Sequence, residues 1–303
     1  MRIIDAHHHL WNLDAGRYSW LAPESGPHGL VGDLSAIRRN YGIDEFRADI
    51  AEIGAGTAVV KSVHVQAEYD RADPVAETAW LQSIADRPDS GGFPHAIVAF
   101  ADLAAPDAEA VLEAHCRFAN MRGVREILNH HPDRRLTFID RADLMDDPHW
   151  RAGYKLLARF GLSFDLQIYP HQMAQAADLA ARFPEVPVVL NHTGMPADQT
   201  EDGLLEWRRG MRRLAECPHV SVKISGLGMV DHAWTVDSIR PFVLDTIEIF
   251  GPGRCLFASN FPVDSLFGGY AALWQAYDAI TAGLPEATRA ALFHDNAARV
   301  YRI

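Results

Sequence analysis

The 303-residue chain has only three lysines, Lys61, Lys155 and Lys223, and a formal charge of -12. It lacks the basic stripe that a phosphate backbone demands, so no nucleic-acid partner is expected. Its three cysteines, Cys116, Cys217 and Cys255, are too few and too scattered for a disulfide framework or a cysteine zinc knuckle, and a reducing cytoplasm suits them. No apolar run reaches the roughly 18 residues of a membrane span, so no membrane partner is expected. The opening MRIIDAHHH has neither the apolar stretch nor the cleavage site of a secretory leader, which again points to a cytoplasmic location. No glycine-rich phosphate fingerprint follows the first apolar run, which argues against a dinucleotide site.

What is present alternates. Apolar, β-branched runs occupy residues 2–10, 57–68, 94–103, 121–128, 162–169, 186–193, 219–226 and 254–261. Between them lie segments such as 75–87, 107–120, 171–183, 204–216 and 236–250, whose apolar residues recur at the helical step of three and four. Eight strand–helix alternations in a chain of this length predict an α/β fold, a (β/α)8 TIM barrel forming a single domain over residues 1–303. A doubly wound open sheet is the rival architecture. One connection is long: residues 11–43 separate the first strand from its helix, where about 2–6 residues are usual. It carries Trp11, Tyr18 and Trp20, which disorder disfavours. It is expected to be an ordered cover over the barrel mouth, with an excursion packed on the outside as the alternative.

Strand alternation assigns faces, one parity inward and the other toward the helices. In the first run Asp5, His7 and His9 share the inward parity, while His8 joins Ile4 and Ala6 in the strand–helix layer. The same count places Ser62, His64, Gln66 and Glu68 inward on the second strand, Asp165, Gln167 and Tyr169 on the fifth, and His192 on the sixth. Ser221, Lys223 and Ser225 follow on the seventh, and Asn260 on the eighth. Active sites of such barrels gather at the C-terminal ends of the strands.

The stretches DAHHHLW, LNHTGMP, ASNFPVD and the terminal NAARVYRI resemble the amidohydrolase superfamily, and within it the lactonase branch of sugar-acid lactonases and pyrone-dicarboxylate hydrolases. The resemblance spans essentially the whole chain. It implies a TIM barrel that opens a cyclic ester at its C-terminal mouth, with His7 and His9 as the first-strand pair and His192 as the single later histidine. The chain departs from the pattern on strand eight. Many relatives carry an aspartate there that takes the proton of the attacking water or helps bind a metal, and this chain carries Asn260. An amide is no general base near neutral pH and a poorer metal ligand than a carboxylate. Asp264 and Glu68 are the substitute bases, or else a histidine activates the water. Strand five also lacks the histidine of strongly metal-binding members; Gln167 and Tyr169 occupy that stretch.

His7, His9 and His192 can supply the three ligands of a catalytic zinc with one open position. The missing carboxylate, and the resembled lactonases that work without metal, leave no cofactor favoured, with Zn2+ or another divalent metal as the alternative. The expected chemistry is attack by a water held by Asn260 and deprotonated by Asp264, Glu68 or a histidine. The carbonyl is polarised by the histidine cluster, and His64 protonates the leaving alkoxide. Arg125, Lys223, Tyr169, Gln167 and Trp11 are candidate substrate contacts, the arginine offering the better fork.

Each residue also has a plainer role. Lys223 can close a buried polar layer, Arg125 can pair with a carboxylate, His64 can bond a neighbour, and Glu68 and Asp264 can cap loops. His130 and His131 border the mouth, His28 reads as packing or surface, and Asn296 reads as the N-cap of the last short helix. The expected partner is a small-molecule lactone, with a homo-oligomer left open. The competing functions are a metal-dependent amidohydrolase or decarboxylase on the same site, and a binding protein that lost catalysis with its strand-eight aspartate.

Overall fold

A computed structural model describes residues 1–14 and 17–303. Each apolar run contains a strand: β1 Arg2–His8, β2 Ala58–Val65, β3 Ala96–Ala99, β4 Met121–Ile127, β5 Ser163–Gln167, β6 Val188–Leu190, β7 Val220–Ile224 and β8 Cys255–Phe257. They pair in parallel in the order β1 to β8. The open-sheet rival fails at the seam. Asn260 N donates to His7 O at 2.8 Å and His9 N to Phe261 O at 2.7 Å, joining the first strand to the last. The result is a TIM barrel in a single domain.

Helices α1 Ile43–Ala51, α2 Pro74–Ala85, α3 Ala108–His115, α4 Pro148–Phe160 and α5 Met173–Arg182 surround it, followed by α6 Glu201–Ala215, α7 Val236–Phe250, α8 Tyr270–Thr281, α9 Glu286–Ala290 and α10 Asn296–Tyr301. Their limits follow from the sequence. α4, for instance, starts where the Asp147 carboxylate accepts from His149 N at 2.8 Å, with Pro148 in the first turn, and stops at Gly161, whose φ of 65° favours glycine.

The barrel interior is divided. Ile4, Ala6, Val63, Val65, Ala96, Val98, Val189, Leu256 and Ala258 form one apolar cluster, sealed by Ala297 and Tyr301 of α10. The other sector is polar. There Asp165 accepts from Lys223 Nζ at 2.5 Å, Asn191 Nδ2 at 3.1 Å and Tyr301 OH at 3.0 Å.

This division corrects the faces expected for the first two strands. Ile4 and Ala6 point inward. Asp5 points outward, accepting from Ser259 N at 2.9 Å and from Tyr270 OH of α8 at 3.0 Å. Between Asp5 and His8 the first strand advances three residues while β2 advances two, from Ser62 to His64. Such a bulge re-aims side chains. It restores His7 and His9 to the inside and turns His8 out, flat against Phe46 of α1 with ring centroids 4.0 Å apart and 5° between planes. On β2, Val63 and Val65 take the inward positions, so Ser62 and His64 belong to the strand–helix layer. His8 Nε2 meets Ser62 Oγ there at 2.9 Å.

The long connection is an ordered cover, as expected; Ala15 and Gly16 within it lie outside the described residues. Trp20 Nε1 donates to Ala67 O at 2.8 Å, and the His232 ring meets Leu30 O at 3.0 Å, which pins the loop to both sides of the mouth. Asn296 does not cap α10. Asp295 holds the cap position, and the Asn296 amide donates to Pro252 O at 2.7 Å and Cys255 O at 2.8 Å, tying the last helix to β8. Among the described residues, no helix is long and apolar enough to cross a membrane.

Candidate active site

The C-terminal strand ends and the covering loop enclose a cavity of about 1060 Å³. His9, Glu68, Arg125, Gln167, His192 and Asn260 line its polar part. Glu68, His192 and Asn260 all adopt left-handed backbone, with φ of 54°, 54° and 59°. Such residues cost about 1–3 kcal/mol each and persist only where the surroundings impose them, commonly at working sites. Gly226 lies behind His192; a Cβ there would come within 2.7 Å of His192 Nδ1, so only glycine lets the ring settle.

The histidines are placed by specific contacts. The His9 ring nitrogen Nδ1 lies 2.7 Å from Val65 O, and a carbonyl can only accept. His9 therefore carries its proton on Nδ1 and presents the Nε2 lone pair inward. That atom lies 3.2 Å from His7 Nε2 and 3.3 Å from Asn260 Oδ1. The His7 and His192 rings sit 4.6 Å apart, and Ser225 Oγ holds His192 Nδ1 at 3.1 Å. Burial, then the cations Lys223 and Arg125 and the neighbouring rings, push His7 and His192 well below the ordinary imidazole range. His9 is lowered in the same way by burial, Arg125 and His64. All three imidazoles are neutral at neutral pH.

Asn260 is oriented from behind. Its Nδ2 donates to Asp264 Oδ1 at 2.8 Å, which turns its Oδ1 toward His9. Burial pushes Asp264 up to about 7. Asp264 does not line the cavity and reaches it only through the Asn260 amide. Glu68 does line it, accepting from Gln66 Nε2 at 2.6 Å and from Arg71 at 3.1 Å. Arg125 lies on the floor, donating to Gln167 Oε1 at 3.0 Å and to Gln66 O, with its Nε unpartnered.

Besides Asp264, and His7 behind its two neighbouring histidines, four expected residues do not line the cavity. His64 is shut behind the wall: its Nδ1 accepts from Leu10 N at 3.1 Å, and its Nε2 lies 3.7 Å from Glu77 of α2. It is absent from the cavity lining, and burial lowers it to about 3, so at neutral pH it is a neutral imidazole and no general acid. Lys223 is committed to Asp165. Trp11 is buried with its Nε1 donating to Arg39 O at 2.7 Å, and the Tyr169 hydroxyl donates to Leu136 O at 2.8 Å. Sequence reasoning missed His28, Tyr69, Phe138, Met195 and Met229, all on the cavity wall. Their only signal is position, in the covering loop or just after β2, β4, β6 and β7.

The donor chemistry accommodates a divalent ion. His9 Nε2 and Asn260 Oδ1 are both acceptors, 3.3 Å apart, and His7 Nε2 stands beside them, so the cluster calls for a shared proton or cation. Neutral imidazoles with an amide oxygen suit zinc in type. No carboxylate offsets the charge, and among the described residues no three histidine, cysteine or acidic side chains are already grouped around one point.

A sequence model of the amidohydrolase family matches residues 4–303. The chain belongs to the amidohydrolase family. Within it, the chain falls in the lactonase branch. It is 30% identical over 315 residues to an L-fucono-1,5-lactonase of Burkholderia multivorans, covering 99% of this chain and 96% of that one. It is 46% identical over 301 residues to the Sinorhizobium fredii protein y4mH, of uncharacterised activity, covering 99% and 98%. The crystal structure of a Burkholderia multivorans amidohydrolase with bound zinc superimposes with a TM-score of 0.82 at 27% identity, over 100% of both chains. The mouth described above lies at the strand ends where enzymes of this fold work.

Proposed function

We propose that this amidohydrolase-family enzyme is a hydrolase that opens a small lactone. The observation that supports this best is the convergence of His9, His192 and the Asn260 amide on one floor of the cavity, with His7 packed against both histidines behind them, in a chain akin to L-fucono-1,5-lactonases. The lactone carbonyl lies over the histidines. His192 Nδ1 lies 3.1 Å from the Ser225 hydroxyl, and in this reaction the hydroxyl acts as donor, so that the His192 Nε2 proton faces the carbonyl oxygen, where negative charge develops. Asn260 Oδ1 accepts one hydrogen of the attacking water. The His7–His9 pair, sharing a single proton between its facing Nε2 atoms, takes up the other as a coupled unit. The ring C–O bond then breaks and the leaving alkoxide recovers that proton, giving a hydroxy acid. Arg125 and Gln167 hold polar groups of the substrate, and Glu68 is the alternative base on the cavity wall. A divalent ion, when bound, would be held by His7, His9 and His192 with Asn260 and would polarise the carbonyl.

The test is acid release from a panel of aldono- and alkyl-lactones, followed at constant pH with and without added zinc. Hydrolysis that disappears in His9→Ala and His192→Ala supports the reading. Full activity in either variant, or no release from any lactone, overturns it.

A further inference from the structure

The proposed reacting groups occupy only the floor of the cavity, and the walls above them change chemistry. Tyr18, Leu21 and Val31 descend from the covering loop, Phe138 comes from the β4–α4 connection, and Met195 and Met229 follow β6 and β7. Ser19, His28 and Tyr69 supply polar atoms to this wall, and most of its other polar side chains bond to the protein. Arg17 donates to Asp70 at 2.8 Å, Arg71 to Glu68 at 3.1 Å, Arg38 to Gly26 O at 2.6 Å and Trp20 to Ala67 O at 2.8 Å. A ligand rising from the floor meets a wall that is mostly aliphatic and aromatic. Size points the same way. The cavity volume of about 1060 Å³ lies just above the range of roughly 300–1,000 Å³ for pockets that hold drug-sized ligands. A bare lactone ring leaves most of it unfilled.

We propose that the preferred substrate is a lactone carrying an extended apolar substituent, alkyl or aryl. Its ring and carbonyl lie on the His9–His192–Asn260 floor, and the substituent fills the chamber beneath the covering loop. This inference rests on the lactonase reading for the reaction, and on the cavity for the substituent. A polyhydroxylated sugar lactone turns hydroxyls toward Leu21, Val31 and Phe138, which offer no hydrogen bond in exchange for lost water. A hydrocarbon chain gains by the same burial, up to about fourfold in binding per methylene.

The experiment measures kcat/KM for γ-lactones with alkyl chains from methyl to octyl, beside L-fucono-1,5-lactone. The expected result is a two- to fourfold rise per methylene over the first few members, carried by KM, and a poorer value for the sugar lactone. In parallel, calorimetry follows binding of the matching 3-alkylcyclopentanones, which keep the ring, the carbonyl and the position of the chain but have no ester bond to hydrolyse. Affinity that climbs with chain length supports the chamber even if no lactone turns over, in which case the lactonase reading alone fails. A flat series in both measurements, or preference for the sugar lactone, overturns the inference while leaving lactone hydrolysis intact. Phe138→Ser, at a half-buried wall position, is expected to flatten the chain-length dependence. A slope unchanged in that variant also overturns the proposal.

Discussion

Asn260 gives its amide hydrogen to Asp264 at 2.8 Å and so turns its carbonyl oxygen toward His9 Nε2, 3.3 Å away. The strand-eight position thus acts as an acceptor toward the histidines and a donor toward the acid behind it. Asn260→Asp breaks this division of labour. Two carboxylates at hydrogen-bond distance cannot both ionise, so one must keep a proton. Stability is expected to fall by about 1–3 kcal/mol at pH 8 and to recover as the pH drops. Zinc affinity is expected to rise at least about tenfold, since a carboxylate is the stronger ligand. Chemical denaturation at two pH values and calorimetric zinc titration check both; unchanged zinc binding counts against the cluster as the metal-holding group.

His192 and His64 are both fully enclosed histidines at strand ends, yet only His192 meets the cavity. His192→Asn is expected to cost about 10²–10³ in kcat/KM, the usual worth of one donor to a developing oxyanion, and His64→Asn less than about threefold. The rate should also hold as pH falls through the ordinary imidazole range, because burial keeps His7, His9 and His192 neutral there. A pH–rate profile with an acid limb near 6.5, the value of a free imidazole, refutes that environment.

The strands and the covering loop were legible in the sequence because apolar periodicity and aromatic content report burial directly. The faces were legible only where alternation ran unbroken. On β5 and β7, Asp165, Gln167 and Lys223 point inward as parity predicts. On β1 the bulge between Asp5 and His8 shifts the count by one. His7 and His9 therefore reach the site by a different route from the one counted, and Asp5 does not. On β2 the polar set is the outer one, because Val63 and Val65 pack inside against Ile4 and Ala6. Composition does not reveal a bulge, and a polar residue facing a buried helix carboxylate, as His64 faces Glu77, looks in sequence like one facing a substrate.

Burial pushes Glu77 up to about 8 and Glu126 to about 7, far above the roughly 4.3 of a glutamate in an unfolded chain. Across that window the folded protein retains protons that the unfolded chain has lost, so these two residues make stability fall as pH rises and level off above the upper value. Buried neutral histidines act in the opposite sense, but only below about 6.5, where the unfolded chain takes up their protons. The melting temperature is therefore expected to decline from about pH 6.5 to 8. Glu77→Gln keeps an oxygen for the Ala67 N–H, now met at 2.9 Å, and should remove most of the decline. Differential scanning fluorimetry across pH decides it, and an equal decline in the variant points to other groups.

Lys223 and Asp165 are both fully buried and 2.5 Å apart, and the Tyr301 hydroxyl of the last helix donates to the same carboxylate. This makes Lys223 a strut of the barrel floor and not a substrate contact. Removing one partner strands the other charge without compensation, which costs about 3–5 kcal/mol. Lys223→Met is expected to lose that much in urea denaturation. Lys223→Met with Asp165→Asn, which leaves no charge to strand, should recover most of it. The KM for any lactone should change less in the double variant than in Arg125→Met, because Arg125 lies on the cavity floor and Lys223 does not. A Lys223→Met protein of undiminished stability but raised KM would return this lysine to the substrate.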